Sequence, residues 1–156
     1  TLAIRCGLAF QITNILRDVA EDAQRGRIYL TLNRLAEYGC DETTWLKRAP
    51  AGDWKGLILS TIAQAKDHYD ASFSLIHSLE SDGQRMFSLM WRTYRALLEY
   101  VESDLNAIWR RRVRLPAWKK SLLFAQHALT PWFVTLQGAM PPSKRSPFIS
   151  TKQVTR

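Results

Sequence analysis

The chain is organised around one early helical stretch in which polar residues recur on a single line. Plotted at about 100° per residue, Gln11, Asn14, Asp18 and Asp22 fall within an arc of roughly 80°. One stripe thus carries two amides followed by two carboxylates, each about a turn below the last. Ile12, Leu16 and Val19 lie together on an adjoining side, which argues for burial there. Asp18 and Asp22 are like charges at i,i+4, a destabilising pair unless a cation sits over them. Mg²⁺ meets that need, because it takes oxygen ligands and is commonly held by one or two carboxylates plus substrate phosphates. A bare D-x-x-x-D is more often a solvated acidic face, and Arg17, Arg25 and Arg27 could neutralise it locally. Upstream on the same stripe stand Ile4 and Gly7. Glycine inside a helix costs about 1 kcal/mol relative to alanine, so close approach by a ligand or another helix is the usual reason to keep it.

The run Gln11 to Leu30, QITNILRDVAEDAQRGRIYL, resembles the second aspartate-rich motif of the squalene/phytoene synthase family. Those all-helical enzymes join two prenyl diphosphates head to head. The resemblance implies that Asp18 and Asp22 are metal ligands, holding Mg²⁺ (or Mn²⁺) against a diphosphate. It implies that Gln11 and Asn14 contact the diphosphate or the reacting centre. Arg17 and Arg27 would neutralise phosphate charge, although Arg17 points away from the stripe in an ideal helix.

The same resemblance extends to two later segments. MWRTYRALLEYV matches a helix lining the far wall of the family's cavity, where Tyr94 would turn its π face toward a carbocation. Core packing is the other reading of that tyrosine. Arg110-Arg111-Arg112-Val113-Arg114-Leu115-Pro116 is similar to an RRVRLP-like segment of the family, with Arg112 the best candidate for a phosphate contact. A solvated basic helix end is the plainer alternative.

Length and composition allow a single domain. A chain of 156 residues with 46% hydrophobic residues and six tryptophans can bury a substantial core. No run is long and apolar enough to span a membrane, and no secretory signal is present. Cys6 and Cys40 lack metal-ligand spacing and are too few for a disulfide framework, which points to a reducing, cytoplasmic setting.

Along the chain, the first helix is expected to end near Gln24–Arg25, with Gly26 left-handed behind it. Thr31 and Asp41 cap two short helices, reaching about Tyr38 and about Arg48. Asp53 caps a long helix reaching about Leu79, with Trp54, Leu57, Ile58, Ile62, Ala65, Tyr69 and Ile76 on its core face. His68 and His77 on that helix do not share a face and read as packed or half-exposed side chains. Ser81-Asp82-Gly83 reads as a break. A second long helix is expected from Gln84 to about Arg111, with Met86, Met90, Leu97, Val101, Leu105 and Ile108 inward and Pro116 closing it.

Charge is unevenly spread. All 14 acids lie within residues 1–104 beside 12 Lys or Arg, so residues 105–156 hold the other ten basic residues and no acid. Trp118, Leu122, Leu123, Phe124, Trp132 and Phe133 accompany those cations, a combination that suits an anionic membrane surface. Packing against the long helices is the competing account. Nucleic acid is the other partner of a basic patch, but no binding motif accompanies it and none is expected.

The expected fold is therefore all-α, an isoprenoid-synthase-type helical bundle of which residues 1–137 form the C-terminal half; residues 138–156 read as a disordered tail. The first aspartate-rich motif of the family is absent, since Asp67/Asp70, Glu99/Glu102 and Asp82 sit in ordinary exposed helix, so this fragment alone is expected to be inactive. The reaction implied is condensation of two farnesyl or geranylgeranyl diphosphates to a squalene- or phytoene-type product, with NADPH entering only for squalene. The substrate partners are those diphosphates, and the location is cytoplasmic or peripheral to a membrane. A non-catalytic, membrane-associated scaffold of the same fold is the alternative.

Overall fold

A computed structural model describes residues 1–129, all of whose regular elements are helical. The motif helix is α1 (Leu2–Gln24), closed through Gly26 at φ +68°. Two short helices follow, α2 (Leu32–Glu37) and α3 (Glu42–Leu46), capped by the side chains of Thr31 and Asp41 as expected. The loops flanking them meet at Gly39 and Gly52. Both glycines are left-handed, and a Cβ on Gly52 would run into the Gly39 carbonyl.

The frame consists of α1, α4 (Trp54–Ser72) and α5 (Ser81–Ser103). Asp53 caps α4 through the Gly56 N–H. Ala9, Leu16, Leu57, Ile58, Ala65, Tyr69, Leu98 and Val101 are fully buried where these helices meet. Contacts between Thr13 and Tyr69 and between Cys6 and Ser72 make α1 and α4 antiparallel. The ion pairs Lys66–Glu102 and Asp70–Arg95 do the same for α4 and α5. The expected core face of α4 is buried throughout except at Trp54, which is half-buried. His68 is half-buried and His77 exposed.

At the heart of the α1–α4 contact, the Tyr69 hydroxyl lies 2.8 Å from Thr13 Oγ1, which also bonds to the Ala9 carbonyl oxygen at 2.8 Å. Burial pushes the Tyr69 phenol far above its ordinary pKa, so it remains a neutral partner. Phe10 packs on both Tyr69 and Tyr94, and Trp91 meets Tyr69 and Phe73 edge-on, extending the aromatic contacts from α1 across to α5.

Four expectations need correction. First, α4 is regular only to Ser72; Phe73–Ser78 is a 3₁₀ helix. The tightening begins where the Tyr69 carbonyl accepts side-chain bonds from Ser72 Oγ and Trp91 Nε1. Second, Ser81, Asp82 and Gly83 begin α5, and the chain breaks one step earlier at Leu79–Glu80, both extended. Serine and aspartate favour first turns as readily as they favour loops.

Third, the second long helix is two helices. Asp104 Oδ1 accepts from the Asn106 N–H and the Asp104 carbonyl from Ala107, a local turn that ends α5 before α6 (Ala107–Arg110) begins. On α5 the core face is Trp91, Leu97, Leu98 and Val101, whereas Met86 and Met90 are 60% and 42% exposed. Fourth, Pro116 closes nothing. The backbone leaves the helix at Arg111 and runs extended to Pro116, which precedes α7 (Ala117–Leu129). The latter packs Leu123 against the core and sets Lys119 over the Tyr100 ring of α5, while Trp118, Leu122 and Phe124 are exposed. Trp132, Phe133 and the expected tail fall outside the described residues.

Two substitutions weigh these contacts. Leu98→Ala should cost about 2–5 kcal/mol, as emptying a fully buried leucine site does. Tyr69→Phe should cost about 1 kcal/mol, because Thr13 keeps its bond to Ala9. Urea unfolding followed by circular dichroism reads both, and a larger loss at Tyr69 than at Leu98 would invert the ranking.

Candidate functional site

On α1, Cys6, Ala9, Thr13, Leu16, Ala20 and Ala23 are buried. At about 100° per residue that face lies opposite the stripe of Gln11, Asn14, Asp18 and Asp22. The packed side is made largely of small residues, so α1 sits close to its neighbours while the polar line faces outward. Gln11 is exposed; Asn14, Asp18 and Asp22 are half-buried. Asn14 Oδ1 is buried without a hydrogen-bond partner, one turn above Asp18. A buried acceptor in that condition is costly unless a ligand or water completes it.

Asp18 is the electrostatic centre. Arg17 grips it with two parallel bonds, Nε to Oδ1 at 2.8 Å and Nη2 to Oδ2 at 2.6 Å. The expectation that Arg17 points off the stripe holds for its Cα; its long stem folds the guanidinium back onto the carboxylate. Arg17 also approaches Tyr94, whose ring stacks on Phe10 at 4.7 Å. Asp18 and Tyr94 together hold the Arg17 guanidinium firmly protonated.

From the other side, Arg112 Nε reaches Asp18 Oδ1 at 3.0 Å, and its Nη1 lies 3.9 Å from Glu21. Its placement follows from an apolar–polar alternation in the extended segment. Val113 and Leu115 are buried, so Arg112 and Arg114 face outward. The Val113 N–H donates to the Arg17 carbonyl at 3.0 Å, tying this segment to the backbone of α1. Behind it, Trp109 meets Trp45 and Trp54 edge-on at 4.7 and 5.6 Å, which fixes α6 against α3 and the start of α4.

Asp18, Arg17, Arg112 and Tyr94 are therefore brought into one cluster. Asp22 stands a turn further on. Burial first, and then the charge of Asp18, push its carboxyl pKa up, with Arg25 and Arg27 working against the shift. Arg27 is exposed, and its backbone N–H closes the helix on the Asp22 carbonyl at 2.8 Å. Gln11 and Arg27 stand at the two ends of the stripe, outside the cluster. Glu21 was missed by sequence reasoning; its position three residues after Asp18 was the available signal. Among the described residues no three His, Cys, Asp or Glu side chains gather as a metal cage.

The model of one protein family, described as squalene/phytoene synthase, matches residues 1–119. The chain belongs to the squalene/phytoene synthase family. Its helical architecture is that of an isoprenoid-synthase-type fold. It is 32% identical to a 15-cis-phytoene synthase of Synechococcus elongatus over 118 residues, covering 76% of this chain and 38% of that protein. It is 36% identical to a phytoene synthase of Arthrospira platensis over 120 residues, covering 77% and 39%. With phytoene synthase 3, chloroplastic, of Zea mays, identity is 30% over 143 residues, covering 92% and 34%. The chain thus spans well under half the length of the relatives it matches. Among the described residues no helix is long and apolar enough to cross a membrane.

The raised pKa of Asp22 has a consequence for stability. A folded-state pKa above the unfolded one contributes stability that is present at low pH and lost as pH rises through the folded value. Asp22→Asn removes that loss and the repulsion from Asp18. Its melting temperature in EDTA at neutral pH should therefore exceed that of the parent protein, with the difference shrinking as pH falls below the ordinary carboxylate range. A lower melting temperature at neutral pH would contradict the assignment.

Proposed function

We propose that this chain supplies the carboxylate-motif wall of a prenyltransferase that condenses two prenyl diphosphates head to head, releasing diphosphate and forming a phytoene-type hydrocarbon. The observation that carries the reading is the convergence of Arg17 and Arg112 on Asp18, with Tyr94 beside Arg17, along an outward stripe that also holds Asp22 and the unpartnered Asn14 oxygen. A non-catalytic scaffold would leave that arrangement without a purpose.

The donor set fits a hard divalent cation. Two carboxylates one turn apart and a free amide oxygen are all-oxygen ligands, too few to cage an ion alone, as expected where substrate phosphates and waters complete the shell. Asp18 and Asp22 would hold Mg²⁺, or Mn²⁺, which takes the same oxygen donors. Bound there, the metal supplies Lewis-acid stabilisation of a departing diphosphate. Arg17 and Arg112, which both reach Asp18, would bind and orient the phosphate oxygens, with guanidinium geometry suited to paired contacts. Arg27, at the foot of the stripe, adds a further exposed cation.

The other end of the stripe is apolar. Ile4 and Leu8 are 61% and 43% exposed, and a Cβ at Gly7 would meet nothing within 4 Å. From Gly7 to Asp18 is about 16 Å along the helix axis, the length scale of a prenyl tail lying on the outward face. Gln11 stands between the two regions. The Tyr94–Phe10 pair adds an aromatic wall that would exclude water and offer a π face to developing positive charge. The relatives' names favour phytoene over squalene, and that choice calls for no NADPH.

Asp18→Asn and Asp22→Asn, made in the complete synthase, should each reduce turnover of radiolabelled prenyl diphosphate to background while leaving helicity unchanged. Near-parental activity in both variants would overturn the proposal.

The exposed Trp118, Leu122 and Phe124 on α7 support a peripheral membrane contact as part of the same reading. Each neighbouring cation is worth about 1 kcal/mol at an anionic surface. Co-sedimentation with phosphatidylglycerol vesicles should weaken markedly in Trp118→Ala/Lys120→Glu, and binding indifferent to both substitutions would remove the contact.

A further inference from the structure

Next to the carboxylate stripe, on the flank of α1 that carries Glu21, a cleft of about 680 Å³ opens toward the extended segment. Its walls include Glu21, Tyr100, Asp104, Arg111, Arg112 and Arg114. Both carboxylates are already engaged: Glu21 lies 3.9 Å from Arg112, and Asp104 lies 3.5 Å from Arg110, which also lines the cleft. Four guanidiniums thus face two carboxylates. Arg111 and Arg114 are exposed cations outside those pairs, and Lys119 over the Tyr100 ring adds positive charge at the rim. A concave surface with excess charge of one sign concentrates its field, and the planar guanidinium fork matches paired phosphate oxygens.

We infer that this cleft is a second phosphate site, distinct from the carboxylate pair and independent of metal, which receives diphosphate as it leaves the stripe. Arg112 joins the two regions, since it touches Asp18 on one side and Glu21 on the other. An anion released at Asp18 and Asp22 would therefore meet Arg112 first, with Arg111 and Arg114 on the wall of the same cleft. The inference rests on the synthase reading for the source of the anion. The site itself rests on the cleft and its uncompensated arginines.

Metal dependence separates the two regions. Without metal the carboxylates repel a polyanion, whereas the arginine cleft attracts it. Calorimetric titration with inorganic diphosphate in EDTA should give saturable binding to the parent protein and to Asp18→Asn/Asp22→Asn. The affinity should fall about tenfold or more in Arg111→Gln/Arg114→Gln, the loss of two charge-assisted contacts. Both arginines are exposed, so circular dichroism of that variant should match the parent.

Absence of metal-free binding, or binding unchanged in the arginine variant, would overturn the inference. Binding that requires Mg²⁺ and vanishes with Asp18 and Asp22 would do so too, while supporting the synthase reading. Phosphatidylglycerol vesicles test the other source of phosphate groups. Vesicle binding that is lost with Arg111 and Arg114, in a protein that ignores soluble diphosphate, would assign the cleft to lipid headgroups and refute the role given to it here.

Discussion

The buried contact between α1 and α4 governs what the rest of the molecule can do. A helix can present only one face to a core, and α1 gives that face to Ala9, Thr13, Leu16, Ala20 and Ala23. Small side chains bring the two helices close, and the Thr13–Tyr69 hydrogen bond satisfies the polar atoms trapped between them. Once that side is committed, the rotation of α1 about its own axis is fixed. The amides and carboxylates of the opposite side are then held outward by packing they take no part in.

Electrostatics complete what packing begins. Asp18 draws one guanidinium from its own helix and another from a segment more than ninety residues away, and the second is delivered by backbone and apolar contacts. Val113 and Leu115 anchor the extended segment, the Trp45–Trp54–Trp109 cluster holds the short helix before it, and Arg112 is left to project. Charge attraction alone would be a weak guide, since half-exposed ion pairs contribute little once side-chain entropy and screening are counted.

The motif helix, the three aspartate and threonine caps and the core face of α4 were legible because each depends on residues close in sequence. Side-chain periodicity locates a stripe, and a hydroxyl or carboxylate before a helical run locates a start. The failures share a different cause. Ser81-Asp82-Gly83 carries signals common to breaks and first turns, and only the extended Glu80 decides between them. The turn at Asp104 arises from a side chain competing for a backbone N–H, a choice that composition does not announce. Met86 and Met90 match the apolar period of α5, yet Trp91 occupies the core there. Within the site, Asp18 and Asp22 were readable as a pair, and the resemblance singled out Arg112. Arg17 folding back onto Asp18 and Glu21 sharing Arg112 required tertiary geometry.

The extended segment separates two kinds of information that usually travel together. Arginine occurs at positions 110, 111, 112 and 114, so a slip of one residue that put Arg111 in the place of Arg112 would still bring a positive charge toward Asp18. What forbids the slip is the interior: displaced by one, an arginine would replace Val113 in a site only 4% exposed. The segment is degenerate in charge and unique in register. The two aliphatic residues that contribute no chemistry are thus the ones that dictate which arginine reaches Asp18.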